Sequence, residues 1–211
     1  MPLTSESLCA LRPFAYHTCS AINFRSIRAS GSLKSARNLL SGTAHEQLLL
    51  GRRLETTRVA ISGEYIEVRD HRPLVPGSLA LPAGYSINDF VDELNSRVFL
   101  WAGTELGPVR SGRNHIARYA AEGKIYVLRV PLTRLLQANP SRSMEVTFCN
   151  SGAARHNQGQ PAERSSVTFV PLSAALKGPA EVVELTFRNQ VALPIETTYS
   201  ENYAGQWERL R

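Results

Sequence analysis

Residues 14–33, FAYHTCSAINFRSIRASGSL, contain the pattern around which the rest of the chain is organised. The first five positions mix aromatic and β-branched side chains, which predicts a short strand. Ser20 can then cap a helix, and Gly31 stands where a left-handed residue would end it. His17 is therefore expected near the end of a strand, where the chain turns into a helix. Sites are often built at such places because the strand is rigid and its end is open.

A second informative stretch is residues 181–188, EVVELTFR, which predict a strand with a carboxylate inside it. Strand alternation places Glu184 on one face together with Val182 and Thr186. A carboxylate among apolar and β-branched residues is costly unless it faces a polar cleft or a partner. Glu184 is therefore a candidate functional residue. The alternative is an edge strand with Glu184 in solvent.

The first stretch resembles the opening of the ADP-ribosyltransferases, in particular the branch of DNA-targeting toxins called the DarT family. The resemblance is carried by Tyr16, His17, Asn23, Ser26, Ile27, Gly31 and Leu33. That family usually has a threonine two residues after the histidine, where this chain has Cys19, with Thr18 one residue earlier. The chain is also similar to an uncharacterised bacterial family of the same layout through IEVRDHRPL (66–74), NSRVFLW (95–101) and CNSG (149–152).

The resemblance implies a fold and an activity. The fold would be α+β, with two small mixed sheets packed as a split sandwich and helices around them, and residues 1–211 would form a single domain. The activity would be transfer of ADP-ribose from NAD, as a co-substrate and without a metal, to a base of DNA or RNA. Such a toxin or defence enzyme can be accompanied by an antitoxin or by a macrodomain hydrolase.

The resemblance also assigns roles to residues. Glu184, followed by apolar positions up to Pro194, would be the catalytic glutamate of the toxins. His17 would bind a ribose of NAD, with Thr18, Cys19 and Asn23 beside it in the cofactor site. Breaking the bond between nicotinamide and ribose builds positive charge on the sugar, which a nearby carboxylate stabilises.

A third element of that family is matched by the predicted buried strand RVFLW, residues 97–101. Arg97 would bind the pyrophosphate, since a guanidinium pairs well with phosphate oxygens. Phe99 or Trp101 would stack on the nicotinamide ring. The alternative for Arg97 is an interior or rim salt bridge.

Residues 150–165 are rich in Gly, Asn, Gln, Ser and Arg and predict a mobile loop. Asn150, Arg155 and Arg164 are the candidate substrate-binding residues, because arginines can grip phosphate and amides can read base edges. The alternative is a surface insert without a function in binding.

Composition limits the function classes. The chain has 211 residues, enough for one domain with a proper core, and a formal net charge of +6, which fits an anionic partner. No apolar run approaches the roughly 20 residues of a membrane helix. The first residues lack a signal-peptide pattern and the three cysteines lack metal-ligand spacing, so we expect a monomer in the reducing cytoplasm, away from membranes. Neither GxGxxG nor a Walker pattern is present, which argues against a Rossmann dehydrogenase and a P-loop enzyme.

Four alternatives to nucleic-acid modification stay open. They are transfer to a protein, hydrolysis of NAD, an RNA 2′-phosphotransferase, and a basic nucleic-acid-binding module without catalysis. The phosphotransferase would need several basic residues in place of the glutamate.

Hydrophobic spacing, caps and turn residues predict the remaining elements. Helices are predicted over residues 33–40, 44–52, 86–95, 114–121 and 132–137. Strands are predicted over residues 59–61, 65–68, 124–130, 144–149 and 166–170. The charged segment 69–72 is either an exit loop or a rim that holds substrate.

Overall fold

The computed structural model describes residues 3–140, 144–153 and 160–211. The α-helices of this part are α1 (Ser5–Leu11), α2 (Ala21–Ser30), α3 (Ala36–Leu40), α4 (Ile87–Asn95), α5 (Arg110–Glu122) and α6 (Leu132–Ala138). The first eight strands are β1 (Phe14–Ser20), β2 (Ser32–Lys34), β3 (Thr57–Ile61), β4 (Glu64–Val68), β5 (Leu79–Ala80), β6 (Arg97–Thr104), β7 (Gly107–Pro108) and β8 (Ile125–Pro131). The remaining strands are β9 (Met144–Thr147), β10 (Ala162–Glu163), β11 (Val170–Pro171), β12 (Glu184–Arg188), β13 (Gln190–Ala192), β14 (Thr198–Ser200) and β15 (Glu208–Arg209).

One antiparallel sheet of nine strands forms the centre of the molecule, in the order β11-β9-β12-β6-β1-β8-β14-β15 with β7 added to β6. Three two-stranded sheets, β5–β10, β2–β13 and β3–β4, surround it. The predicted α+β class is confirmed. The expected pair of small mixed sheets is wrong, because the central strands belong to one antiparallel sheet of nine strands. Whether the layout is that of the ADP-ribosyltransferases stays a prediction.

The two faces of the central sheet are covered by different helices. On one face, α1, α2 and α6 bury apolar side chains such as Leu8, Phe24 and Leu132 against the sheet. On the other face, α5 packs Ile116 and Tyr119 against β1, β6 and β8. Apolar burial on both faces holds the middle strands rigidly, so a side chain on them is well placed for a site.

The strands β1 and β6 separate in the middle of the sheet. β1 pairs with β8 along its whole length, but with β6 only from Phe14↔Gly103 to Tyr16↔Trp101. From His17 onward no backbone ladder joins β1 to β6. Beyond Tyr16, the facing edges of β1 and β6 are therefore not paired with each other, and a ligand can lie between the two strands.

The helix predicted after β1 is confirmed, together with both of its ends. The Ser20 hydroxyl accepts a hydrogen bond from the backbone N–H of Asn23 (3.3 Å), which caps α2. Gly31 ends α2 with a φ of 61°, a left-handed conformation that glycine adopts without strain. The capped helix at Ser86, with Asp89 completing the capping box, is also confirmed.

Two predicted elements are wrong, and a third is confirmed only in part. Residues 44–52 form only a short 3₁₀ turn (Glu46–Leu49), because Thr43 accepts from the backbone N–H of His45 and the capping box is not completed. Of residues 33–40, the first belong to β2, and the helix starts only after Ser35. Residues 166–168 form a 3₁₀ turn rather than a strand, since the hydroxyl of Thr168 bonds the backbone N–H of Ser165.

Candidate active site

A cavity of about 420 Å³ lies on both sides of the gap between β1 and β6. This volume falls in the range of small-molecule sites. Its walls come from β1, α2, β4, β6 and α5 and from the loop after β9. It brings together the predicted site residues His17, Thr18, Cys19, Asn23, Arg97, Phe99, Trp101, Asn150 and Glu184.

Glu184 lies on an interior strand, so the alternative of an exposed edge strand is wrong. β12 runs between β6 and β9, with Glu184 opposite Trp101 on one side and Thr147 on the other. Its side chain lines the cavity although the residue is only 2% exposed. Burial raises the pKa of the Glu184 carboxyl from 4.5 to about 7. A carboxylate with that pKa inside a cavity is a candidate catalytic group.

Two donors hold the Glu184 carboxylate. The backbone N–H of Ser151 donates to Oε2 at 3.1 Å. The hydroxyl of Thr147 lies 2.9 Å from the same oxygen and 2.7 Å from the carbonyl of Cys149, so its one proton is shared between these two acceptors. These bonds oppose the effect of burial, because they favour the ionised form. The Ser151 hydroxyl faces the same carboxyl, and this contact also lowers its pKa.

Arg164 supports the loop that carries Ser151, and it does not face a substrate. The residue is 7% exposed, and its guanidinium donates to the backbone carbonyls of Asn150 (3.0 Å), Ser151 (3.4 Å), Ala153 (3.0 Å) and Glu163 (2.7 Å). The prediction that Arg164 grips a phosphate is therefore not supported by its contacts. The four backbone carbonyls converge on the guanidinium of Arg164, which thereby fixes the shape of the loop.

The two other predicted residues of this loop have different positions. Asn150 lines the cavity, as a substrate-binding residue should. Arg155 lies outside the described residues.

His17 presents a neutral imidazole at the gap. Its Nδ1 lies 2.9 Å from the carbonyl oxygen of Phe99 on β6, where the ladder between the strands has ended. Burial lowers the pKa of His17, so the ring is neutral at pH 7. Since a carbonyl only accepts, Nδ1 carries the proton and Nε2 is left as a hydrogen-bond acceptor.

Thr18, Cys19 and Asn23 line the cavity in different ways. The hydroxyl of Thr18 is buried with no hydrogen-bond partner in the described part of the chain, so it is open to a ligand. Burial raises the pKa of Cys19 to about 12, which makes its thiol a poor nucleophile. The amide of Asn23 bonds the backbone N–H and carbonyl of Glu67, both at 2.8 Å, and so ties α2 to β4.

Arg97 lines the cavity wall, but its side chain is only 1% exposed and its guanidinium pairs with two carboxylates. Nε and Nη2 donate to the carboxylate of Glu145 at 2.6 and 3.0 Å, and Nη1 donates to the Glu93 carboxylate and to the Ser96 hydroxyl. The guanidinium also lies 4.0 Å from the ring centre of Phe169. The interior salt bridge, which the sequence left as the alternative, is therefore what the structure shows. Four of its five N–H groups have partners, and the remaining N–H of Nη2 is buried with the rest of the side chain, so little of this guanidinium is available to a pyrophosphate.

Trp101 and Phe99 form part of an aromatic wall. Trp101 packs against His115, with ring centres 5.3 Å apart, and His115 packs against Tyr119 at 4.1 Å. Burial lowers the pKa of His115 to about 3, so this ring is neutral too. The wall offers flat surfaces on which an aromatic ring of a ligand can stack.

With this geometry described, comparison with known proteins gives one family. Residues 13–197 match the family described as a family of unknown function, DUF7002. The chain belongs to DUF7002. The match covers β1, the Glu184 strand and the cavity between them, so the candidate site lies within the family's shared region. A search of the curated proteins finds no match.

The DUF7002 cavity has a charged rim. The buried carboxylate of Asp70 forms ion pairs with Arg72 and Arg118. Burial alone would raise the pKa of Asp70, but the two arginines outweigh this effect and lower it to about 2. Arg69 pairs with Glu122 at 2.7 Å. The charged segment 69–72 was predicted to be either an exit loop or a rim that holds substrate. Its residues Arg69, Asp70 and His71 line the cavity.

Some residues of the DUF7002 site were not predicted from sequence. His115 lies one turn before Tyr119 on α5, and this helical spacing is the signal that would have placed it on the buried side. Arg53 is buried and donates to the carbonyls of Leu48 and Arg69, contacts that no local sequence pattern predicts. Ser151 contributes its backbone N–H, which no side-chain pattern reveals.

Within residues 3–140, 144–153 and 160–211, no group of three or more His, Cys, Asp or Glu side chains is arranged to hold a metal ion. Among the helices described for this DUF7002 chain, none is both long and apolar enough to span a membrane.

Proposed function

We propose that this chain transfers ADP-ribose from NAD to a base of a nucleic acid. One observation carries the proposal: the buried carboxylate of Glu184 and the neutral imidazole of His17 line the same cavity of about 420 Å³, which opens where β1 and β6 separate. The sequence resemblance had assigned these two residues to the catalytic and the ribose-binding roles.

The chemistry requires a carboxylate at the sugar. When the bond between nicotinamide and ribose breaks, its electron pair leaves with neutral nicotinamide and the ribose becomes positively charged. Ionised Glu184 stabilises this charge across the cavity, while its other oxygen stays fixed by Thr147 and Ser151. A nitrogen of the acceptor base then forms the new bond to the ribose and releases a proton. A carboxylate with a pKa of about 7 is well suited to receive that proton.

The remaining cavity walls suit NAD as the donor substrate. Nε2 of His17 can accept a hydrogen bond from a ribose hydroxyl, and the unpartnered hydroxyl of Thr18 lies next to it in the chain. Trp101 supplies an aromatic face for a ring. Because Arg97 is occupied by Glu93 and Glu145, we do not assign the pyrophosphate to it.

The RNA 2′-phosphotransferase alternative is less well supported by these contacts. It calls for free basic groups around a phosphate. Of the basic residues that line the cavity, Arg69, Arg97 and Arg118 are paired with carboxylates and Arg53 donates to backbone carbonyls, which leaves Lys34 without an ion pair among the described residues. The cavity also holds a carboxylate, Glu184. A buried carboxylate in the cavity favours stabilisation of a positive sugar over binding of a phosphate.

Mass spectrometry tests the proposed function. Single-stranded DNA, RNA and a protein mixture are each incubated with the chain, with and without NAD. We expect an added ADP-ribose on the nucleic acid only, together with release of nicotinamide. Free ADP-ribose alone would indicate NAD hydrolysis, and label on protein alone would indicate a protein acceptor. Either result contradicts the proposed acceptor, and intact NAD in all samples contradicts the activity.

A further inference from the structure

A second cavity, of about 460 Å³, adjoins the candidate active site at the start of α5. Three arginines line it: Arg12, Arg110 and Arg113. Ser111 lines both cavities, and Val183, which lines the second, directly precedes Glu184 in the chain. The two cavities therefore meet at Ser111, and a strand bound in the arginine cavity could extend from there into the cavity that contains Glu184.

The arginine cavity has an uncompensated positive charge. In contrast to Arg69, Arg72 and Arg118 at the other cavity, its three arginines form no ion pair within the described part of the chain. Arg12 makes one hydrogen bond, from Nη2 to the carbonyl of Ala180 at 3.0 Å.

The acidic residues nearest in sequence do not neutralise this charge. Glu181 pairs with Lys177 (3.9 Å) and accepts from the backbone N–H of Gly178 (3.1 Å). Glu105 is exposed and forms no salt bridge with a described residue.

The positions of Arg110 and Arg113 are unfavourable for the helix itself. Both lie in the first turn of α5, a helix of 13 residues that starts without an acidic residue or a side-chain cap. The positive end of the helix dipole repels cations and favours anions there. Stability alone would favour acidic residues at this place, so the arginines point to an anionic ligand. Both side chains are exposed and able to reach one.

We propose that the arginine cavity binds the phosphate backbone of a single-stranded nucleic acid and so brings its base to the cavity that contains Glu184. This inference deepens the proposed function and rests on it for the class of acceptor. Guanidinium groups bind phosphate with paired hydrogen bonds. A single strand is required because a base inside a duplex cannot reach an enclosed site. The phosphate contacts thus come from α5 and from Arg12, and Arg164 takes no part in them.

The test is equilibrium binding of fluorescent single-stranded DNA and RNA, followed by anisotropy over a series of salt concentrations without NAD. The variant is Arg110→Ala with Arg113→Ala. The matched control is Arg25→Ala with Arg209→Ala, which removes the same charge from two exposed arginines outside both cavities.

We expect the first variant to lose at least about tenfold in affinity, with a salt dependence reduced by about 0.7 in log–log slope for each lost phosphate contact. The control should lose much less and keep its slope. DNA and RNA tested side by side show which strand the cavity prefers. Equal losses in both variants would mean that only net charge matters, and this result would overturn the inference. Unchanged binding in the first variant, or no binding by the wild-type chain, would overturn it as well.

A charge-reversal variant separates binding from folding. Arg110→Glu with Arg113→Glu places acidic residues at the positive end of α5, so it should melt no lower than the wild type while it abolishes binding. Because the assay contains no NAD, the two proposals fail separately. Arginine-dependent binding without transfer contradicts only the proposed function, and transfer to a strand that binds without these arginines contradicts only this inference.

Discussion

The backbone N–H of Ser151 donates a 3.1 Å hydrogen bond to Oε2 of Glu184 across the edge of the cavity. Ser151 belongs to a loop whose carbonyls are bound by Arg164. The orientation of the carboxylate is thus linked to an arginine that does not touch the cavity, and Arg164 is best described as a positioning residue.

Replacing Arg164 by Ala should impair both NAD hydrolysis and transfer, because the loop loses its support. We expect a loss of about 1–3 kcal/mol in stability, the usual cost of leaving buried polar groups unpaired. The acid limb of kcat/KM should also move to higher pH, since loss of the Arg164 charge and a weaker bond from Ser151 both raise the pKa of Glu184. A purely structural role would leave that limb in place. Arg164→Lys should restore part of the activity, and Arg209→Ala serves as the control.

The pH dependence of the wild-type chain follows from Glu184. Its carboxylate must be ionised to stabilise a positive sugar, and its pKa is raised to about 7. We therefore expect kcat/KM for NAD to rise with pH and to level off above about 7. Burial lowers the pKa of His17, so any limb from this ring should lie at lower pH than the limb of Glu184. Stopped assays of nicotinamide release between pH 5 and 9 check this, and a profile flat from pH 5 upward would contradict it.

Arg97→Met should affect folding more than NAD binding. It leaves Glu93 and Glu145 with only their longer ion pairs to the exposed Arg188, at 3.4 and 3.6 Å, and breaking a buried ion pair costs about 3–5 kcal/mol. Arg97→Met with Glu145→Met should recover part of the loss, as a double-mutant cycle would show. NAD affinity in the folded protein should change little by calorimetry. A large loss of NAD affinity with normal melting would return Arg97 to the pyrophosphate role that the sequence predicted.

His17→Ala should weaken NAD binding by roughly tenfold, the equivalent of about one hydrogen bond. The expected reason is loss of the Nε2 acceptor at the gap between β1 and β6. Isothermal calorimetry with NAD measures the effect, with His45→Ala, outside the cavity, as the control. Equal affinity in the two variants would remove His17 from the ribose site.

The sequence predicts features that depend on near neighbours in the chain. Ser20 and Gly31 mark the ends of α2, and Ser86 marks the start of α4, because capping bonds span three or four residues. The strands of His17 and Glu184 were predicted from local pattern and family resemblance, and both residues do line one cavity.

What the sequence does not predict depends on partners far away in the chain. Arg97 and Arg164 look alike as free cations in the sequence. Their partners, Glu145 and the carbonyls around Ser151, are set by strand pairing and loop packing. The same holds for the continuous central sheet, since alternation predicts strands but not the order in which they pair.

The most direct test of the central claim is the rate of nicotinamide release and base modification by Glu184→Gln. We predict a loss of at least about 100-fold, the usual scale for removing a group that stabilises charge in the transition state. The variant should fold, since its amide oxygen can still accept from Thr147 and Ser151. Because the folded state raises the pKa of Glu184 from 4.5 to about 7, ionisation costs stability as pH rises through that window. Glu184→Gln should therefore melt higher than the wild type at pH 8 and gain less at pH 5. Near-normal turnover by this well-folded variant would contradict the assignment of Glu184 and, with it, the proposed site.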